Sequence, residues 1–179
     1  LLLEQAAYEI GSQRSVAFNF TQGSNITGQL TLDGQSRTVQ VDEDQKRVLS
    51  EPISVLAPAQ MAYVLTLSNL LGSENISGVV DFVERISGIQ IEQTVYEVGA
   101  QRNVAFSFTK GSSIAAQLTL NGQSRTVQID EHQKRIVSET ISVMHPIQMT
   151  YLLKLGNSLG SFNQSGTVEF MERITGEFF

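Results

Sequence analysis

The stretch that settles the fold class reads MAYVLTLSNLL at residues 61–71 and recurs as MTYLLKLGNSL at residues 149–159. Every odd-numbered position of the first stretch is unchanged in the second, and every even-numbered position differs. Side chains alternate between the two faces of a strand with a period of two, whereas a helix repeats every 3.6 residues. The stretch is therefore predicted to be a β-strand with one constrained face. Residues 78–86 show the same alternation and are predicted to be a second strand.

These two stretches belong to a duplication that covers nearly the whole chain of 179 residues. With a constant offset of 88 residues and no gap, about 55 of 85 aligned pairs are identical. Such self-similarity marks a tandem repeat, and about 88 residues suffice for a small β-domain. We predict two domains, residues 1–88 and residues 89–179. The alternative is one body in which the two copies are halves related by a pseudo-two-fold axis.

The remainder of each copy also reads as short strands separated by turns. Asp33-Gly34 lies between alternating apolar runs, and Asn121-Gly122 occupies the same place in the second copy. These dipeptides favour a type I′ hairpin turn, because both central residues of that turn need a positive φ. Six or seven antiparallel strands per copy are predicted. The fold class is all-β, with two tandem antiparallel sandwich-like or barrel-like repeats.

Composition excludes several function classes. The chain has no cysteine, so disulfides, thiolate metal sites and thiol nucleophiles are absent. Its net charge is −6, which disfavours nucleic acid as a partner. No apolar run approaches the length of a membrane-spanning helix, so no transmembrane segment is expected. Motifs for cofactor binding are lacking, and no cofactor is predicted. Four N-glycosylation sequons, at Asn19, Asn25, Asn75 and Asn163, favour an exported protein.

Charged residues that are unchanged between the copies are the candidate ligand or interaction residues. They could pair across strands on the outer sheet face, or they could orient a ligand or a protein partner. The residues selected are Arg37, Lys46, Arg47 and Glu51, with their counterparts Arg125, Lys134, Arg135 and Glu139.

An acidic turn in each copy is the candidate metal site. Clustered carboxylates on a flexible turn suit calcium, but a solvated turn between strands has the same composition. The candidate ligands are Asp42 and Glu43 with Asp130 and Glu131. The only histidines, His132 and His145, replace Asp44 and Ala57 of the first copy, so neither is expected to be an essential base of a duplicated site.

The sequence therefore predicts a non-enzymatic structural or adhesive module that binds a protein partner or self-associates. A first alternative is a carrier for a hydrophobic ligand, with a cavity lined by a stripe of apolar side chains. A second is a bivalent lectin-like glycan binder that stacks sugars on tyrosines. The stripe comprises Phe18, Phe20, Met61, Tyr63, Leu65, Leu67 and Phe82, and the tyrosines are Tyr8, Tyr63, Tyr96 and Tyr151.

Overall fold

The structure is a computed structural model that describes residues 1–176. The described residues form strands and turns, without a helix. That part of the chain consequently offers no helix long and apolar enough to cross a membrane. The chain divides into two compact units, Leu1–Glu84 and Arg85–Phe179. The all-β class predicted from alternation is confirmed.

Eleven strands lie within the described residues of each unit, more than the six or seven predicted, because breaks in pairing divide the predicted runs. The strands of the first unit are β1 (Leu2–Leu3), β2 (Ala7–Glu9), β3 (Gly11–Arg14), β4 (Ala17–Asn19), β5 (Thr27–Leu32), β6 (Gln35–Arg37), β7 (Val39–Asp42), β8 (Arg47–Ser50), β9 (Ile53–Val55), β10 (Ala59–Asn69) and β11 (Gly72–Val83).

The second unit repeats this order at equivalent positions. Its strands are β12 (Gln90–Ile91), β13 (Val95–Glu97), β14 (Gly99–Arg102), β15 (Ala105–Ser107), β16 (Ala115–Leu120), β17 (Gln123–Arg125), β18 (Val127–Asp130), β19 (Arg135–Ser138), β20 (Ile141–Val143), β21 (Ile147–Asn157) and β22 (Gly160–Met171).

Each unit contains a four-stranded and a five-stranded sheet, with a further two-stranded pair. In the first unit the strand orders are β1-β4-β8-β7 and β2-β11-β10-β5-β6, and β3 pairs with β9. The second unit has the orders β12-β15-β19-β18 and β13-β22-β21-β16-β17, with β14 beside β20. Most pairs are antiparallel, as predicted, but β2 runs parallel to β11 and β13 runs parallel to β22.

The core of each unit lies between its two main sheets. In the first unit Phe18 and Val48 of the four-stranded sheet share one apolar cluster with Leu65 and Val80 of the five-stranded sheet. The rings of Phe18 and Tyr63 meet edge to face with centroids 5.3 Å apart. The equivalent pair in the second unit, Phe106 and Tyr151, is 5.4 Å apart. Each unit is therefore a β-sandwich whose core cluster comes from its own residues.

The strand predicted over residues 61–71 is β10, with Tyr63, Leu65 and Leu67 buried on one face. It ends at Asn69, because Leu70 and Leu71 form the turn of a long hairpin with β11. The strand predicted over residues 78–86 is the second arm, which begins earlier, at Gly72, and ends earlier, at Val83.

The predicted Asp-Gly hairpin is confirmed. It joins β5 to β6 by a two-residue turn, with Leu32 paired to Gln35. Asp33 has a φ of 49° and Gly34 a φ of 77°. Asn121 and Gly122 have nearly the same values, so both central residues are left-handed in each copy.

Candidate functional site

The cations predicted for interaction each have a partner within their own unit. The Nη2 of Arg47 lies 2.9 Å from the Oε2 of Glu4, and its Nε lies 3.0 Å away. Arg135 holds Glu92 through Nε and Nη2, each at 2.8 Å. The hydrogen bond from Arg135 lowers the pKa of the Glu92 carboxyl, and Glu92 raises the pKa of Arg135. These bonds connect β8 to the segment between β1 and β2, and β19 to the segment between β12 and β13.

Lys46 and Lys134 immediately precede β8 and β19, and their side chains contact the connections that follow β4 and β15. The Nζ of Lys46 donates a hydrogen bond to the Gly23 carbonyl at 3.3 Å and lies 5.6 Å from the centroid of Phe20. The Nζ of Lys134 donates to the Gly111 carbonyl at 3.1 Å and lies 5.5 Å from the Phe108 ring. A cation over an aromatic face is attracted to it, so these lysines have a structural role in both copies.

The predicted metal ligands accept backbone hydrogen bonds instead of converging on one point. Asp42 accepts the N–H of Gln45 at 2.9 Å, and Glu43 accepts the N–H of Ile26 at 2.7 Å. In the second copy Asp130 accepts from Gln133 and Glu131 from Ile114, each at 2.8 Å. Among residues 1–176 no three His, Asp or Glu side chains are grouped so as to hold a metal ion.

The remaining sequence candidates occupy ordinary structural positions. His132 lies exposed in the turn between β18 and β19, and His145 lies exposed in the loop before β21. Tyr63, Tyr96 and Tyr151 are buried. The half-buried Tyr8 accepts the Ala17 N–H with its hydroxyl oxygen, and burial raises the pKa of that hydroxyl. These contacts use the tyrosine faces in packing, which disfavours the lectin-like alternative.

The stripe considered for a hydrophobic ligand is mostly packed core. Phe18, Leu65 and Phe82 are fully buried, and Tyr8 stacks on Phe82 with ring centroids 5.8 Å apart. Side chains in such contact fill the interior instead of lining a chamber. This packing disfavours the carrier alternative.

Arg37 and Glu51 do come together on the surface, with several side chains that sequence reasoning did not select. Arg37 lies 3.8 Å from Glu51 and donates to the Gln35 side-chain oxygen at 2.7 Å. The N–H of Glu51 donates to the carbonyl of Thr38 at 2.8 Å. Beside them lies a shallow groove of about 350 Å³ that is lined by Thr38, Gln40 and Glu51 among others.

We call this region the edge surface and define it by the same five positions in each copy. Its members are on or beside β6 and β7, the terminal strands of two different sheets, which only Thr38 separates along the chain, and Glu51 directly follows β8. In the second unit Arg125 is 3.8 Å from Glu139 and 3.0 Å from Gln123. The members are Gln35, Arg37, Thr38, Gln40 and Glu51 in the first unit and Gln123, Arg125, Thr126, Gln128 and Glu139 in the second.

The edge surface is exposed or half-exposed, yet its residues are the same in both copies. The outward-facing positions of β10 and β21 vary instead, as in Thr66 and its counterpart Lys154. The unbroken identity of residues 35–40 was the available sequence signal for Gln35, Thr38 and Gln40. Core packing does not account for it, because these side chains lie outside the core.

Comparison with known proteins finds no matching family model and no matching curated protein. Among solved structures, the chain is similar to an I-band fragment of titin, with a TM-score of 0.45 and 12% identity over 94% of this chain and 63% of that one. A titin Ig tandem gives a TM-score of 0.43 at 12% identity over 96% of both chains. Extracellular domains 3–5 of Drosophila OTK give 0.49 at 14%, covering 95% of this chain and 59% of that one. Likenesses this distant indicate no function.

Proposed function

We propose that the protein is a non-enzymatic interaction and assembly module in which each copy presents its edge surface to a protein partner. The observation that carries this proposal is the set of identical polar residues, exposed or half-exposed, on and beside the terminal strands of both units. A terminal strand presents backbone N–H and C=O groups to an added strand, while the neighbouring side chains select it. Arg37 and Glu51 supply charges of both signs for that selection.

Two equivalent surfaces in one chain make the proposed module bivalent. When both surfaces engage one multivalent partner, the second binding event becomes intramolecular and the apparent affinity rises without new contacts. The proposal includes the division into two domains, residues 1–88 and 89–179, because each domain then carries one complete edge surface.

The test is binding of the full chain to an array of purified proteins that includes the chain itself. We expect Arg37→Glu or Arg125→Glu alone to leave one functional surface, so that the chain binds with the lower affinity of a single site. The double variant should lose specific binding by at least about tenfold, because a like charge replaces the selecting cation. Lys154→Glu, an equal change of charge on the exposed outer face of β21, is the matched control and should bind normally.

Equal binding by the wild type and the double variant would contradict the proposal that the edge surface binds the partner. Catalytic turnover that disappears on substitution of His132 or His145 would contradict the non-enzymatic role.

A further inference from the structure

The five-stranded sheet of each unit has one side that a short parallel strand covers only in part. In the second unit β13 pairs with β22 from Glu169 onward. Within residues 1–176, the stretch 160–168 of β22 pairs with β21 alone. In the first unit β2 pairs with β11 only from Asp81 onward, so residues 72–80 are uncovered in the same way. We call residues 160–168 the open segment of β22 and residues 72–80 the open segment of β11.

The openness of these segments is a property of the repeat itself. The segment of β11 is exposed although the second unit follows it in the chain, and the segment of β22 is exposed although the first unit precedes it. A unit on either side therefore leaves this strand uncovered. The exposed side chains at alternate positions are Ser73, Asn75, Ser77 and Val79 in β11 and Ser161, Asn163, Ser165 and Thr167 in β22.

The backbone of the open segment of β22 can pair with another strand. The N–H of Glu169 donates to the Thr94 carbonyl at 2.8 Å, and the carbonyl of Met171 accepts the N–H of Val98 at 2.9 Å. Both residues thus direct their backbone groups away from β21. Successive residues of a strand direct these groups to opposite sides, so every second residue before Glu169 directs its own to the open side. These residues are Ser161, Asn163, Ser165 and Thr167.

The two open segments differ at a residue that opposes pairing. Glu74 of β11 lies on the core face of the strand, because it alternates in step with the buried Val80 and Phe82. An inward-pointing charge on an uncovered strand is a common protection against association edge to edge. The counterpart of Glu74 is Phe162, which is 40% exposed. Residues 160–168 contain no charged residue and no proline, so the second unit lacks the protection of the first.

The open segment of β22 is complementary to a second copy of itself. Antiparallel pairing about its central residue, Gln164, would use the whole of residues 160–168. Ser161 would lie opposite Thr167 and Asn163 opposite Ser165, and each such pair exchanges two backbone hydrogen bonds. The pairs between them are of the close, non-hydrogen-bonded kind, in which side chains approach each other most nearly. Like charges meet nowhere along this register, because the segment has no charge.

Two side chains of the open segment would gain contacts in this register. Phe162 would lie opposite Gly166 of the second copy, where an aromatic side chain covers the exposed backbone of an edge glycine. It would also approach the Tyr151 ring, since a Cβ added to Gly166 is only 2.9 Å from Tyr151 Cε1. Among the described residues, the Oε1 of Gln164 is buried without a hydrogen-bond donor. The amide of Gln164 from the second copy would lie directly opposite and could donate to it.

We propose that the open segment of β22 pairs with the same segment of a second copy, antiparallel and two-fold about Gln164. The pairing joins two five-stranded sheets into one continuous sheet. The contact is isologous, because both copies use the same residues, so it closes into a dimer. This inference rests on the proposed assembly role and names a second copy as the partner, but it uses a strand that is separate from the edge surface.

Sedimentation of the full chain over a range of concentrations tests the dimer. We expect a reversible dimer for the wild type, and Phe162→Glu should raise its dissociation constant at least about tenfold, because it introduces the protective charge of the first copy. The fold accommodates glutamate at this position, since the first copy carries Glu74 there. Ser142→Glu, at the exposed centre of β20, adds the same charge elsewhere in the unit and should dimerise normally.

The reverse exchange tests the protective role of Glu74. Glu74→Phe should give each chain a second segment that can self-pair, so the variant should form oligomers larger than a dimer. A Glu74→Phe variant that stays dimeric would contradict the argument that this charge restricts pairing to the second unit.

Cysteine cross-linking tests the register, because the chain has no cysteine of its own. Gln164 is the residue of the segment that lies opposite itself, in a close pair, so Gln164→Cys should form a disulfide-linked dimer under mild oxidation. Ile76→Cys, at the same position of the first unit, and Asn163→Cys, one residue away, are the matched controls. Both should cross-link at least about tenfold more slowly. Adding Phe162→Glu to Gln164→Cys should slow its cross-linking to the level of the controls.

A wild-type chain that stays monomeric, or a dimer that Phe162→Glu leaves intact, would overturn the proposal. Equal cross-linking of Gln164→Cys and Ile76→Cys would also overturn it. The double variant of Arg37→Glu and Arg125→Glu should form the same dimer as the wild type, so a failure of the β22 pairing is distinguishable from a failure of the edge surface.

Discussion

At the scale of single residues, Ser50 shows how a polar group identical in both copies is used inside the sandwich. Its hydroxyl oxygen accepts the Val16 N–H at 2.8 Å and the hydroxyl donates to the Glu51 carbonyl at 2.9 Å. Ser138 makes the same two bonds in the second unit. A buried backbone N–H without a partner is costly, so this serine joins β4 to the end of β8 where the regular ladder stops.

We therefore predict that Ser50→Ala lowers the free energy of unfolding of the first unit by about 1–3 kcal/mol, because the Val16 N–H stays buried and loses its acceptor. Urea unfolding followed by circular dichroism measures the change. Ser54→Ala, at the exposed centre of β9, is the control and should change stability by less than about 0.5 kcal/mol. Equal effects of the two changes would refute this role of Ser50.

The pair of Glu92 and Arg135 should make stability depend on pH. The folded state lowers the pKa of Glu92, so its contribution is complete above the pKa of the unfolded carboxyl, about 4.3, and disappears as the pH falls through the lower folded value. Both side chains are substantially exposed, so Glu92→Gln should cost no more than about 1 kcal/mol at pH 7. Unfolding by urea at pH 7 and pH 3 measures the difference, which should be smaller at the lower pH and should shrink in high salt. A difference that grows at pH 3 would contradict the assignment.

At the scale of elements, the β5–β6 hairpin combines local turn chemistry with a place at the sheet edge. Gly34 has a φ of 77°, and a Cβ added there meets no atom within 4 Å. Substitution therefore changes backbone strain without changing packing. The hairpin sets the register of β6 and thereby the position of Arg37 on the edge surface.

Gly34→Ala should destabilise the first unit by about 1–2 kcal/mol, because an L-residue is strained at this φ. Thermal unfolding measures the effect. Gly156→Ala is the matched control, since its added Cβ meets its nearest neighbour at 3.6 Å and the first copy has Ser68 at that position. The control should be neutral or slightly stabilising. A neutral Gly34→Ala would show that the turn adopts another conformation.

The long hairpin of β10 and β11 shows how far alternation predicts an element. The buried face of β10 followed from the odd-numbered positions. Its end did not, because Leu70 and Leu71 are apolar residues that lie in a solvent-exposed turn. A turn that presents leucine to solvent resembles a strand in its sequence, and only pairing with β11 defines where the strand stops.

At the scale of the whole molecule, the proposed independence of the two domains has a direct consequence for stability. Leu65 and Leu153 are equivalent and fully buried, each in the core cluster of its own unit. We predict that Leu65→Ala costs the first unit about 2–5 kcal/mol and leaves amide hydrogen exchange in the second unit unchanged. Leu153→Ala should do the reverse, and each variant serves as the other's control. Loss of protection in both units from either change would favour a single cooperative body.

Much of the architecture could be predicted from sequence alone, because the chain contains two copies of one repeat that can be compared with each other. Two copies that differ at every second position of residues 61–71 reveal a strand and its buried face, since the core restricts one side only. The Asp-Gly and Asn-Gly dipeptides predicted their turns because positive φ is a property of the local backbone. The offset of 88 residues predicted the repeat without any structure.

Contacts distant in sequence were decided only in three dimensions. Glu43 looked like a metal ligand, but the fold places it against the N–H of Ile26, and Arg47 meets Glu4 across 43 residues of chain. Leu71 and Leu159 occupy equivalent positions of the two copies, yet one is exposed and the other half-buried. The reason is physical: periodicity reports which side of an element is constrained, whereas burial and pairing depend on which other segment packs there.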